Sequence, residues 1–123
     1  MPNLATLSAF VTAGLLTLAS AGCASGSGSP GAEGEPGTLQ GRIVSIDTDP
    51  WMYDGSAVIR IATDTGREVP VELPARWNLC AAPPVDVAAL APGQQVEVVG
   101  RVGHAGAVVV CDDATHRLRP LDR

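Results

Sequence analysis

Lysine is absent from this chain of 123 residues, and all eight basic side chains are arginine. Thirteen acidic side chains outweigh them, leaving a formal net charge of −5. A general nucleic-acid surface needs clustered Lys and Arg, so the balance argues against nucleic acid as a partner. Aromatic residues make up only 3%, against a background rich in Val and Ala. Enzyme motifs are also missing. There is no Gly-x-Ser-x-Gly elbow and no Cys-x-x-Cys redox motif, and Ser45 and Ser56 have no evident paired base. No catalytic residue and no cofactor is expected. The chain reads as a binding or structural protein, not an enzyme.

Charge is also missing from one end. Met1 to Gly22 carries no charged side chain. Leu4, Leu7, Phe10, Val11, Leu15, Leu16 and Leu18 make it apolar, and it closes on Leu18-Ala19-Ser20-Ala21-Gly22-Cys23. An apolar run ending in small residues is the pattern of an export signal. These residues resemble the lipobox of bacterial lipoproteins, with Ser20 where that family favours Leu. The resemblance implies a signal peptide over residues 1–22, removed just before Cys23. It also implies a diacylglyceryl group on the Cys23 thiol and an acylated amine. The chain is then a lipoprotein of the bacterial cell envelope, held to a membrane by its lipid. Ala24 stands where enteric bacteria place Asp for inner-membrane retention, which favours the outer membrane, periplasmic side. Release as a soluble secreted or periplasmic protein is the alternative, ahead of a retained membrane helix.

The chain has three cysteines, and an odd count in an exported protein needs a reason. Lipidation of Cys23 supplies one and leaves Cys80 and Cys111 as a pair. Export places that pair where disulfides persist. A closed loop of about 30 residues would contribute roughly 3–4 kcal/mol in the chain-entropy view. Two separate buried thiols are the competing arrangement.

From Ala24 to Gly37 the chain reads ASGSGSPGAEGEPG. Without a large apolar residue such a segment cannot bury enough surface to order itself. Residues 23–37 are therefore read as lipidated cysteine and tether, spanning about 20 Å on average. A single domain is expected over 38–121, with a thin core that a disulfide would help.

Within that domain the periodicity is that of strands. Leu39–Ile46 is β-rich. Ala57, Ile59 and Ile61 alternate with Val58, Arg60 and Ala62, and Asp64-Thr65-Gly66 is a hairpin turn. Val69, Val71 and Leu73 alternate with Glu68, Pro70 and Glu72; Pro70 places this strand at an edge or a bulge. Pro74–Pro92 breaks the pattern, with a helical turn expected over Val85–Leu90. A fourth strand runs to Val102, a fifth covers Ala107–Cys111, and a short terminal strand covers Thr115–Pro120.

Two stretches carry a resemblance to bacterial OB-fold domains. They are Gly41-Arg42-Ile43-Val44 and Leu90-Ala91-Pro92-Gly93-Gln94-Gln95-Val96-Glu97-Val98-Val99-Gly100-Arg101-Val102. The fold class expected is mainly β, a small five-stranded OB-like barrel. A β-sandwich and an SH3-like barrel are the rivals.

The loop Asp49-Pro50-Trp51-Met52-Tyr53-Asp54 is the best candidate for binding, since OB-folds often take ligands there. Trp51 and Tyr53 offer large rigid contact surface, for an envelope protein or a small ligand; the competing role is a ring that plugs the barrel. Asp112, Asp113 and His116 are the only carboxylate–imidazole cluster. Metal binding there, in a small metal-dependent envelope enzyme, is the minority alternative, and no metal ligand is assigned. A purely structural lipoprotein is the third possibility.

Overall fold

Strict alternation of apolar and polar residues builds the walls of this protein. The computed structural model describes residues 31–121. The expected signal segment, Cys23 and the first part of the tether lie outside the described residues. Among the described residues six strands form: β1 (Pro36–Asp47), β2 (Ala57–Ala62), β3 (Glu68–Leu73), β4 (Gln95–Val102), β5 (Val108–Val109) and β6 (Arg117–Pro120). Along β2 and β3 every second side chain is buried, as a period of two demands when one face is covered.

The pairing closes on itself. β1 gives its first half to β4 and its second half to β2, both antiparallel. β2 and β3 form a hairpin. β3 then lies parallel to β5, and β5 returns antiparallel to β4. The circuit β1-β2-β3-β5-β4-β1 is a small OB-like barrel of five strands, with β6 added along β4. A sandwich would leave two open sheets. An SH3-like barrel would not set β3 parallel to β5.

Two glycines permit the closure. A Cβ on Gly41 would strike the Ala62 carbonyl and the Ile61 side chain, and one on Gly100 would strike the Val109 carbonyl. Each lies where two strands approach closely, a use open only to glycine. A β-bulge at Val44, between the paired residues Ile43 and Ser45, resets the face of β1. Ile43 and Ile46 can then both pack on the core.

Inside are Ile43, Ile59, Ile61, Val69, Val71, Leu73, Val96, Val98, Val102, Val108 and Val110, all fully buried. Burying each of these contributes about 1.5–3 kcal/mol before the entropy of ordering is subtracted.

The structure departs from the sequence reading at two places. β1 starts at Pro36, inside the segment expected to be tether. The amide of Gly34 donates to the Val102 carbonyl (2.7 Å) and that of Val102 to the Glu35 carbonyl (2.8 Å), so β4 captures the chain ahead of Leu39, the first large apolar residue of β1. β5 keeps only two ladder residues, Val108 and Val109; the Val110 amide still donates to the Glu72 carbonyl of β3, and beyond it the Cys111 carbonyl accepts from the Ala82 amide of the preceding loop. The short helical turn expected within Val85–Leu90 is present, as a 3-10 turn over Val87–Ala89. Pro70 does stand at an edge: it faces Arg60 of β2, and β5 reaches β3 only from Val71 onward.

A candidate binding surface at one end of the barrel

Between β1 and β2 the chain makes a 3-10 turn, Asp49–Tyr53, with Pro50 in its first turn. Proline suits that place because its missing N–H has no partner to lose. The Asp47 Oδ1 accepts from the Asp49 amide at 3.0 Å, and the turn ends on Asp54 in the left-handed region (φ 60°), which Asp tolerates better than most residues. After β3 a second 3-10 turn, Trp77–Leu79, ends at Cys80.

These two turns are bound to each other and to the barrel. The Trp51 Nε1–H donates to the Leu73 carbonyl at 2.9 Å, and its half-buried ring packs on the core. Trp51 and Trp77 meet edge to face, centroids 6.3 Å apart and planes at 79°, a favoured geometry for aromatic pairs. Arg76 and Asp54 form an exposed ion pair of 3.2 Å, of the kind that contributes little alone. Cys80 and Cys111 are joined in a disulfide, Cα atoms 4.5 Å apart across 31 positions. It fastens the Trp77 turn to the strand end that follows β5.

Trp51 thus caps the barrel, while Tyr53, two residues on, is 84% exposed. Met52 (80%) and Leu79 (71%) are also exposed on these two turns. Among the described residues the only other exposed large apolar side chain is Val44. The turns that carry the indoles on their inner side carry Met52, Tyr53 and Leu79 outward. Leu79 was not a candidate from the sequence: it lies in a proline-rich stretch with no periodicity to assign it a face. Only the neighbouring Trp77 marks that stretch.

The Asp112, Asp113 and His116 cluster is differently arranged. Asp112 pairs with the Arg101 Nε at 3.0 Å. The Asp113 Oδ1 accepts from both the amide and the hydroxyl of Thr115 at 2.8 Å. Those bonds, the backbone one first, hold its carboxyl below the ordinary range, with smaller help from the charges of His116 and Arg101. His116 is buried, and its Nδ1 has no hydrogen-bond partner among the described residues. It borders a cavity of about 170 Å³ beside Pro36, Arg101, Asp113 and Thr115. Among the described residues no three His, Cys, Asp or Glu side chains are placed to share a metal ion. The three residues form a strand-end turn, with both carboxylates already engaged.

Further along β4, Glu97 accepts from Arg117 (2.8 Å) and Arg119 (2.9 Å) of β6. The Arg117 hydrogen bond, followed by that of Arg119, holds the Glu97 carboxyl below its ordinary range. No protein-family model matches this chain, and no curated protein matches it.

Proposed function

We propose that this protein is a lipoprotein of the bacterial envelope whose small barrel binds a partner through the Trp51–Tyr53 turn and the Trp77–Leu79 turn. The observation that carries the reading is the exposure of Met52, Tyr53 and Leu79 on two turns that Trp51, Trp77 and a disulfide hold in place. Rigid aromatic and apolar side chains in solvent are the material of protein interfaces. Turns braced to a barrel lose little freedom when they bind.

Cys23 anchors the chain through its acyl groups, and more than one chain gives stable attachment where one is marginal. Residues from Ala24 onward connect that anchor to the barrel. The Cys80–Cys111 disulfide suits an oxidising compartment, which supports export. Fold alone does not define a function, so the binding role rests on the surface and not on the barrel.

Two experiments test this. Metabolic labelling with a palmitate analogue is expected to mark the wild type and not Cys23→Ser; equal labelling of both removes the anchor. A photo-crosslinking amino acid at position 53, in cells, is expected to give a discrete cross-linked product that Leu79→Ser weakens. The same group at Arg60, on the outer face of β2, is the control. Equal products from both positions remove this binding surface.

A further inference from the structure

The rim of the exposed surface is acidic. Residues 47–56 contain Asp47, Asp49 and Asp54 and no basic side chain; residues 74–82 contain Arg76 alone. That one arginine is already paired with Asp54. Asp47 and Asp49, both exposed, lie in the same segment as the exposed Met52 and Tyr53, and neither turn supplies them a countercharge.

The geometry points to a partner of definite chemistry: a protein surface or peptide whose apolar side chains are bordered by Lys or Arg. This inference rests on the binding surface proposed above and adds the nature of its occupant. Apolar contact with Met52, Tyr53 and Leu79 would supply the centre of the interface, and Asp47 and Asp49 the complementary rim. Complementary charge raises the rate of encounter and rejects partners of the wrong sign. The same acidity acts against an anionic bilayer and against a second copy of this chain, whose rim would bring like charges together.

The protein carries its own reporter. Its two tryptophans and its only tyrosine are Trp51, Trp77 and Tyr53, so intrinsic emission reads this end of the barrel and nothing else. The full chain, held in phosphatidylcholine nanodiscs, would be titrated with a peptide of alternating Lys and Leu, and then with one of alternating Glu and Leu. Tryptophan emission is the readout.

A saturable change is expected with the Lys peptide, and binding of the Glu peptide weaker by about tenfold or more. Added salt should weaken the Lys peptide, since exposed charges are screened beyond ~8 Å at physiological ionic strength. Asp47→Asn with Asp49→Asn should weaken it about threefold or more while keeping the oxygen that accepts from the Asp49 amide. Tyr53→Ser with Leu79→Ser should abolish the response.

Equal binding of both peptides would overturn the basic partner and leave the surface standing. So would a stronger response to phosphatidylglycerol vesicles. An emission change that depends on protein concentration alone would assign the surface to a second copy. No response to any probe would overturn both the partner and the binding surface.

Discussion

Along β2, Ile59 and Ile61 are fully buried, and the strand is paired on both sides, by β1 and by β3. A few residues earlier, Met52 and Tyr53 stand at least four-fifths in solvent. The wall of the barrel is held by many equivalent contacts: aliphatic side chains at every second position and ladders that return to their starting strand. The end of the barrel is held by a few unlike ones: an indole hydrogen bond, an edge-to-face ring pair, an ion pair and a disulfide. A wall of that kind fixes the fold and, apart from Val44 at the bulge, exposes no large apolar side chain. The end can be small and irregular because the wall supports it, and it can present apolar side chains that the wall must hide.

Breaking the wall should have the largest effect. Ile61→Ala removes a fully buried side chain from the centre of the core and should cost about 2–5 kcal/mol, measured by denaturant unfolding. An effect below 1 kcal/mol would mean the closed barrel is not the source of stability. Next is the staple. Replacing Cys80 and Cys111 together by Ser should cost about 3–4 kcal/mol, because the linked positions are 31 apart. The loss should shift the Trp51 and Trp77 emission as the Trp77 turn is released. Smaller still is the cap: Trp51→Phe keeps a ring but removes the donor to the Leu73 carbonyl. A loss of about 1–2 kcal/mol is expected from that unpaired acceptor, again by denaturant unfolding.

Glu97 sharpens the comparison from the other direction. Its carboxyl is held low by Arg117 and Arg119, so the folded state favours the ionised form. That stabilisation is present above the ordinary glutamate value of about 4.3 and is lost as pH falls through the lower folded value. Asp113 acts with the same sign. Glu97→Gln should therefore flatten the fall of thermal stability on acidification. An unchanged acid slope would mean that the β4–β6 pairs are too exposed to matter.

The wall was legible in the sequence and the end only in part. Alternation located β2, β3 and β4 because each has one buried face, and the valine and isoleucine positions predicted as inward are inward. The Leu90-Ala91-Pro92-Gly93 run that carries part of the OB-fold resemblance leads into β4, and Gly100, in the same stretch, lies where two strands approach closely. What failed was pairing by backbone alone. Gly34 to Gly37 carries no large apolar side chain, so its capture by β4 left no trace in hydropathy, and the Cys111 carbonyl past β5 is taken by the Ala82 amide of an aperiodic loop. At the end of the barrel, Trp51 and Tyr53 were visible as aromatics, but a sequence does not tell which of two rings in one turn points inward. The answer depended on the Leu73 carbonyl, contributed by another strand. Leu79 joined the surface only because Cys80 and Trp77 fix the turn around it.

The smallest expected effect tests the central claim most directly. If Met52, Tyr53 and Leu79 are displayed and not structural, Tyr53→Ser with Leu79→Ser should change stability by no more than about 0.5 kcal/mol. In a thermal unfolding scan the midpoint should then stay within about 4 °C of the wild type. A fall as large as that caused by removing the Cys80–Cys111 disulfide would contradict the account, because the two side chains would then belong to the cap and not to a surface kept for a partner.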